Sequence, residues 1–399
     1  MNPVMNEKAG ADGAPAWGAV TAMTLGVFGL VTAEFLPASL LTPIAADLGI
    51  SEGAAGQAVT MTAMFGFAAS LLISAAARGA DRRHMMMIFS VLLIVSNLMV
   101  AFAQGVYMLL AGRVLLGIAL GGFWAMSTAV TMRLVPPGLV PRALSILMSG
   151  VSAATVFAAP VGSYLGEIIG WRGVFLLASL LGAISLVAQW RSLPSMRPAG
   201  MARLRTLGEV LLRPGIGIGM MAVLLVFGGH FVFFTYLRAY LETRGGFSIE
   251  AIAIILLGFG IANFFGTVLA GRMAQLSLRL TLVLVPLSMG TLAMVMVAFG
   301  GNPMSDTVSV VLWGMIFGGV PVAWSSWIAR TVSDEAESAG GLFVATIQLA
   351  IALGAGLGGI VFDAAGGTGT VFASGVLLLL SATTVMFGVR IRASAAAPA

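Results

Sequence analysis

Runs of 18 or more mostly apolar residues recur along the whole chain, and the breaks between them hold Arg, Asp, Pro or clustered Gly. Each run can cross the ~30 Å hydrocarbon core of a bilayer as a helix. The breaks predict twelve spans, at 17–44, 54–77, 85–104, 106–132, 141–168, 172–193, 214–241, 248–275, 280–300, 307–329, 338–364 and 368–389. The separation between the third and fourth, at Gln104-Gly105, is the weakest. The first run is no cleavable signal peptide. It is too long, no small-residue cleavage site precedes the second run, and the flank MNPVMNEKAGADGAPA is not clearly basic. The expectation is an all-α polytopic membrane protein.

Composition agrees. Of 399 residues, 59% are hydrophobic and 9% charged, against about 25% charged in a soluble domain. The chain has no cysteine and only two histidines, His84 and His230. Disulfides and thiolate metal sites are excluded, and no metal or other cofactor is expected. No GxxxxGK[ST] loop is present, so ATP does not drive the chain directly.

Charge orients the spans. With both termini assigned to the cytoplasm, sixteen basic residues fall on that side, from Lys8 and Arg78 to Arg390 and Arg392. The other side receives Arg172, Arg244 and Arg238. This is a strong positive-inside bias, which makes the bilayer the expected partner of the basic loops and not nucleic acid. The longest polar connection, RSLPSMRPAGMARLRTLGEVLLRP, divides the chain nearly in half, and Thr206 to Leu212 read as a short interfacial amphipathic helix. The expected organisation is a tail (1–16), a six-helix bundle (17–193), a cytoplasmic linker (194–213), a second six-helix bundle (214–390) and a tail (391–399). Six spans, a linker and six spans is a transporter layout.

An internal repeat supports duplication. GGFWAMSTAVTMR (121–133) aligns with GGVPVAWSSWIAR (318–330), and APVGSYLGEIIG (159–170) with AGLGGIVFDAAG (355–366). Glu167 then matches Asp363, and Gly170 matches Gly366.

Four stretches carry a resemblance to the major facilitator superfamily, in its twelve-span drug:proton antiporter branch. ARGADRRHMM (77–86) resembles the superfamily's glycine–aspartate–arginine loop, with most of the glycines gone. GRVLLG (112–117) places Arg113 at the family's buried arginine. PVGSYLGEIIGWRGVF (160–175) resembles the antiporter motif, with Ala159 where glycine is usual, and FFTYLRAYLE (233–242) has Ala239 where many relatives have proline. EFLPASLLTPIAADLGISEGAAGQ, LGGFWAMSTAVTMRLVPP and WSSWIARTVSDEAESAG look like those of the bacterial inner-membrane exporters of purine ribonucleosides. The resemblance implies a monomeric proton-driven antiporter that expels inosine- and guanosine-like nucleosides. A broader drug or sugar exporter is the alternative on this scaffold. A receptor or an intramembrane enzyme is disfavoured by the repeat and by the lack of a catalytic cluster.

Ionisable residues deep in a span are costly and are functional candidates. Glu34 and Arg113 sit at similar depth, roughly 10–14 Å below the outer surface at ~1.5 Å per residue. The resemblance puts both on the central cavity. Burial and Arg113 pull the protonation of Glu34 in opposite directions, so small rearrangements switch it. The pair is expected either to carry and tune the proton or to clamp spans one and four, and direct substrate contact is the third option. His230 can donate and accept hydrogen bonds near physiological pH, so it is a candidate for proton coupling or substrate contact.

A nucleoside needs flat aromatic faces and polar groups for its edges. Phe123, Trp124, Phe227, Phe231, Phe234, Tyr236 and Trp324 are the aromatic candidates, with Trp327 as a membrane-belt residue. Gln57, Thr60, Asn263 and Gln348 are the polar ones, and Gln348 leads because an amide facing lipid there is unfavourable. Asp81, Arg82 and Arg83 resemble a cytoplasmic latch, with Arg133 and Arg330 as possible partners.

Overall fold

The computed structural model describes residues 15–76, 79–196 and 204–389. Most of the expected tails, part of the linker, and Arg78, Arg197, Arg203 and Arg390 lie outside the described residues. Among the described residues ten helical stretches are long and apolar enough to cross a bilayer. Two of them run 53 residues each and are broken at one glycine apiece. Dividing them there is consistent with twelve spans.

The first bundle comprises α1 (Trp17–Ser39), α2 (Leu41–Leu48), α3 (Glu52–Ala76), α4 (Arg82–Ala101), α5 (Val106–Arg133) and α6 (Val140–Ser192). A short helix, α7 (Leu204–Leu211), ends the linker. The second bundle comprises α8 (Ile216–Phe234), α9 (Leu237–Gly245), α10 (Ile249–Leu276), α11 (Leu278–Phe299), α12 (Pro303–Phe317), α13 (Gly319–Thr331) and α14 (Ala336–Gly388).

Breaks interrupt three expected spans. Span one ends at Leu40, just after Pro37, whose missing N–H weakens the last turn. Span seven divides at Thr235 and Tyr236 between α8 and α9, and span ten at Gly318 between α12 and α13.

The two 53-residue helices show the repeat in three dimensions. α6 breaks at Gly170 (φ 72°, ψ 158°) and α14 at Gly366 (φ 65°, ψ −169°), each 30 residues after the first residue of its helix. This backbone region is open essentially to glycine alone, so the glycine matched in sequence sets the same reversal in both bundles.

One apolar cluster lies within the first bundle, and another fills the second and takes in Ala38, Val59, Ala63 and Ala159 of the first. The bundles meet along two seams, α3 against α14 and α6 against α10. At the second seam the backbones nearly touch, since a Cβ on Gly260 would lie 2.8 Å from Val156 Cα. A third core cluster joins the bundles at the face opposite the linker, the distal face. There Leu36, Leu40 and Leu41 pack with Tyr236, Ala239 and Phe362. The outer surface carries exposed Leu72, Ile88, Phe157, Leu180, Phe265 and Ile360, as the lipid-facing side of a membrane bundle requires.

α7 falls on the stretch expected to form a short helix. Its Val210 is buried in the second core while Glu209 is exposed. Arg213 pairs with Asp334 at 2.8 Å and ties the linker's end to the second bundle.

Candidate functional site

Glu34 lies near the end of α1, buried (8% exposed) and facing the second bundle. Arg113 is fully buried on α5. The two are neighbours, but the expected ion pair between their side chains is absent. Arg113 donates to Ala33 O at 2.9 Å, Glu34 O at 3.4 Å, Ala58 O at 3.4 Å and Thr62 Oγ1 at 3.0 Å. The guanidinium therefore staples the main chains of α1 and α3 to α5. The Glu34 carboxyl is left to other partners, and its Oε1 has none. The reason is geometric: the guanidinium's five donors suit several acceptors, and the carbonyls around Pro37 and the α3 turn are nearer than the carboxylate.

A polar group from the other bundle also reaches that carboxyl. Gln348, on α14 and 5% exposed, brings its carboxamide beside Glu34. The contact falls short of a well-formed hydrogen bond, because Gln348 Nε2 is itself without a partner. The amide rests on α3 at Gly66, where a Cβ would lie 2.5 Å from Nε2. A buried acceptor and a buried donor, each with one unpartnered atom, thus come together at the boundary between bundles. Beside them Phe35 meets Phe234 edge-to-face at 5.9 Å, again across the boundary.

His230 is enclosed in an aromatic cage. It stacks on Phe317 at 3.4 Å and 5° and on Phe234 at 4.9 Å, and its Nδ1 accepts a hydrogen bond from Trp313 Nε1 at 3.0 Å. With Nδ1 already an acceptor, a proton added there breaks the Trp313 bond. This arrangement favours a packed, neutral imidazole over a proton carrier.

The remaining candidates divide by location. Gln57 and Thr60 on α3 face the glycine run of α14 near Gly356. Phe227 and Phe231 border the aromatic group, Phe227 meeting Phe317 and Phe343 edge-on at 6.0 and 6.5 Å. Tyr236 lies at the distal face, its hydroxyl donating to Ala355 O at 2.8 Å. Phe123 packs inside the first bundle against Gly26, with Trp124 half-buried beside that core. Trp324 stacks edge-on with Trp327 at 5.4 Å inside the second bundle. Trp327 is 1% exposed and so is not a belt residue. Asn263 donates to Gly314 O at 3.2 Å and straps α10 to α12. These last packing roles follow from burial of large rings and amides within one bundle, away from the boundary.

Asp81 and Arg83 of the expected latch make contacts within the first bundle. Asp81 caps α4 through Arg83 N at 2.8 Å and accepts from Met196 N at 3.0 Å and from the Ser195 hydroxyl. Burial opposes ionisation of Asp81, but the Ser195 hydroxyl and the Met196 and Arg83 N–H groups outweigh it and hold its pKa below the ordinary value. Arg83 donates to Trp190 O at 2.5 Å, and Arg82 reaches Met126 Sδ at 3.7 Å. The loop therefore fastens α4 to the end of α6. Arg330 donates to Ala274 O at 3.4 Å inside the second bundle, and Arg133 is exposed at the linker face.

A set of contacts at the distal face was not anticipated. Arg238, 5% exposed, donates to Glu242 Oε1 at 2.7 Å and reaches into the first bundle to Ser39 O at 2.5 Å and Ser163 Oγ at 3.3 Å. Glu242 accepts from Thr42 of the first bundle. Asp363 accepts from Ser51 Oγ at 2.8 Å and Gly53 N at 3.0 Å. These cross-bundle hydrogen bonds close the distal face. Glu34 is also not the only buried acid: Asp306, fully buried at the start of α12, accepts from Tyr240 at 2.9 Å and Gly301 N at 3.0 Å. The signals were present in part, since Asp363 matched Glu167 in the repeat and Arg238 and Glu242 lie in FFTYLRAYLE.

Two pseudo-symmetric helical bundles with a polar group buried at their boundary define a membrane transporter. The chain belongs to the Major Facilitator Superfamily, whose family model matches residues 23–355. It is similar to purine ribonucleoside efflux pump NepI of Shigella sonnei (strain Ss046), 45% identical over 99% of this chain and 100% of that protein. Against the pump of the same name from Escherichia coli (strain K12) it is 44% identical over 99% and 100% of the two chains. Among solved structures, it resembles the bacterial homologue of the human lysosomal transporter Spinster in an inward-facing, unoccupied conformation. That match has TM-score 0.78 and 16% identity, covering 94% of this chain and 96% of that one. The D-xylose–proton symporter matches with TM-score 0.75 and 18% identity, over 94% and 98% of the two chains.

Proposed function

We propose that the chain exports purine ribonucleosides such as inosine and guanosine from the cytoplasm in exchange for protons, by alternating access to one central site. It does so as a monomer in the bacterial inner membrane, with both termini cytoplasmic and the proton gradient as its energy source. The near-full-length similarity to purine ribonucleoside efflux pumps supports the substrate. The basic bias toward the linker side supports the orientation.

The observation that carries the proton role is the state of Glu34. Its carboxyl is buried at the bundle boundary with one oxygen unpartnered, while Arg113 is satisfied by main-chain carbonyls and Thr62. Breaking a direct buried ion pair costs about 3–5 kcal/mol. Here a proton can arrive at or leave Glu34 without removing any of Arg113's hydrogen bonds. Arg113 still supplies a nearby positive charge that tolerates the ionised form.

The test uses everted membrane vesicles with an acid interior and labelled inosine. Wild type accumulates inosine, and unrelated drugs compete poorly. Glu34→Gln loses gradient-driven accumulation but retains exchange of labelled for unlabelled inosine. Full gradient-driven accumulation by Glu34→Gln overturns the assignment.

A further inference from the structure

We infer that Glu34 and Gln348 together read the base edge of a 6-oxopurine nucleoside, with N1–H donating to the Glu34 carboxylate and O6 accepting from Gln348 Nε2. This rests on the function proposed above and assigns which chemistry of the nucleoside the central site recognises. The starting point is a pair of buried groups that the protein leaves unsatisfied, Glu34 Oε1 and Gln348 Nε2. Buried polar groups in native proteins are nearly always hydrogen-bonded, and exceptions call for an explanation. One of these is an acceptor and the other a donor. The Gln348 amide acts on the Glu34 carboxyl, yet the two belong to opposite bundles.

The lactam edge of hypoxanthine or guanine offers a donor and an acceptor on adjacent atoms, N1–H and O6. It satisfies both orphans at once. Purine riboside presents an acceptor at N1 and nothing at C6, so it meets the ionised carboxylate acceptor to acceptor. In adenosine the edge is reversed, and the same register places acceptor on acceptor and donor on donor. A site built to hydrogen-bond a polar group rejects an analogue without it because its own buried groups are then unpaired. Phe35 and Phe234, edge-to-face at the same boundary, offer aromatic surface for the base.

The pair also connects recognition to the proton. Arg113 is the charge that acts on Glu34, and Arg238, Glu242 and Asp363 are engaged at the distal face. A proton on Glu34 turns the acceptor that held N1–H into a hydroxyl and weakens the grip on the base. Because Gln348 comes from the second bundle, the grip exists only while α14 lies against α3, so recognition is sensitive to which side of the protein is open.

The experiment is competition against labelled inosine uptake in everted vesicles. On wild type, 1-methylinosine and purine riboside are expected to compete about ten-fold or more less well than inosine, the factor for one hydrogen bond. Gln348→Ala is expected to weaken inosine about ten-fold and to erase most of its advantage over purine riboside. Gly66→Ala places a methyl 2.5 Å from Nε2 and displaces the amide without removing it, so it should act in the same direction. Wild-type transport with equal competition by all three nucleosides overturns the base-edge assignment, as does an unchanged preference in Gln348→Ala. Absence of inosine transport by wild type overturns the nucleoside reading itself, and this inference with it. The wild-type arm needs no variant and stands if Gln348→Ala does not fold.

Discussion

Replacing Arg238 by methionine should open the distal face. Arg238 makes two of the hydrogen bonds that join the bundles there, to Ser39 O at 2.5 Å and to Ser163 Oγ at 3.3 Å. Both exist only while the face is closed. A hydrogen bond from a charged group contributes about 1.5–3 kcal/mol. The Ser163 bond is long, and water can replace both acceptors' partners once the face opens, so one bond's worth, about 2 kcal/mol, is the expected loss. That shifts the closed-to-open ratio roughly 30-fold. Methionine keeps the apolar stem, and Glu242 keeps the Thr42 hydroxyl as a partner. The assay is double electron–electron resonance between spin labels at Ala46→Cys on α2 and Ala364→Cys on α14. Both positions are exposed at the distal face, and the chain has no cysteine of its own to compete for label. Wild type should give mainly the short distance, and Arg238→Met a population moved to the long one. An unchanged distance distribution in Arg238→Met refutes the reasoning.

Two further predictions follow from packing. His230→Phe removes the acceptor of the buried Trp313 N–H and should lower stability by about 1–3 kcal/mol, measured by thermal unfolding in detergent. The pH profile of inosine exchange should stay in place, and a shifted profile would return His230 to the proton path. Gly170→Ala and Gly366→Ala each force a side chain into backbone angles reserved for glycine and should cost about 1–3 kcal/mol. Equal stability to wild type in the same melt would show that the reversals do not depend on them.

Much of the fold was legible in the chain because a bilayer imposes length. A helix must span ~30 Å of hydrocarbon, so the apolar runs and their breaks translate into spans with few alternatives. Gly170 and Gly366 were matched by alignment of the repeat, and both turned out to reverse the chain. Glu34 and Arg113 were legible for a related reason: few residues in such a chain are charged, and those inside a span must be buried.

What each buried group touches was decided by tertiary structure alone. Helices that are apolar on all sides carry little periodic signal for which face meets lipid and which meets protein. Nothing local therefore separated Phe123 and Trp324, packed inside single bundles, from Phe234 at the boundary. The guanidinium of Arg113 turned to main-chain carbonyls because the crossing of α1, α3 and α5 brings them within reach. Arg238 fell near the outer end of expected span seven, yet it bridges the bundles because α9 packs against α1 and α2 of the first bundle. Gln348 was singled out because an amide is costly in lipid. Its place near Glu34, 314 positions away in the chain, follows only from α14 packing against α3, which no local pattern encodes.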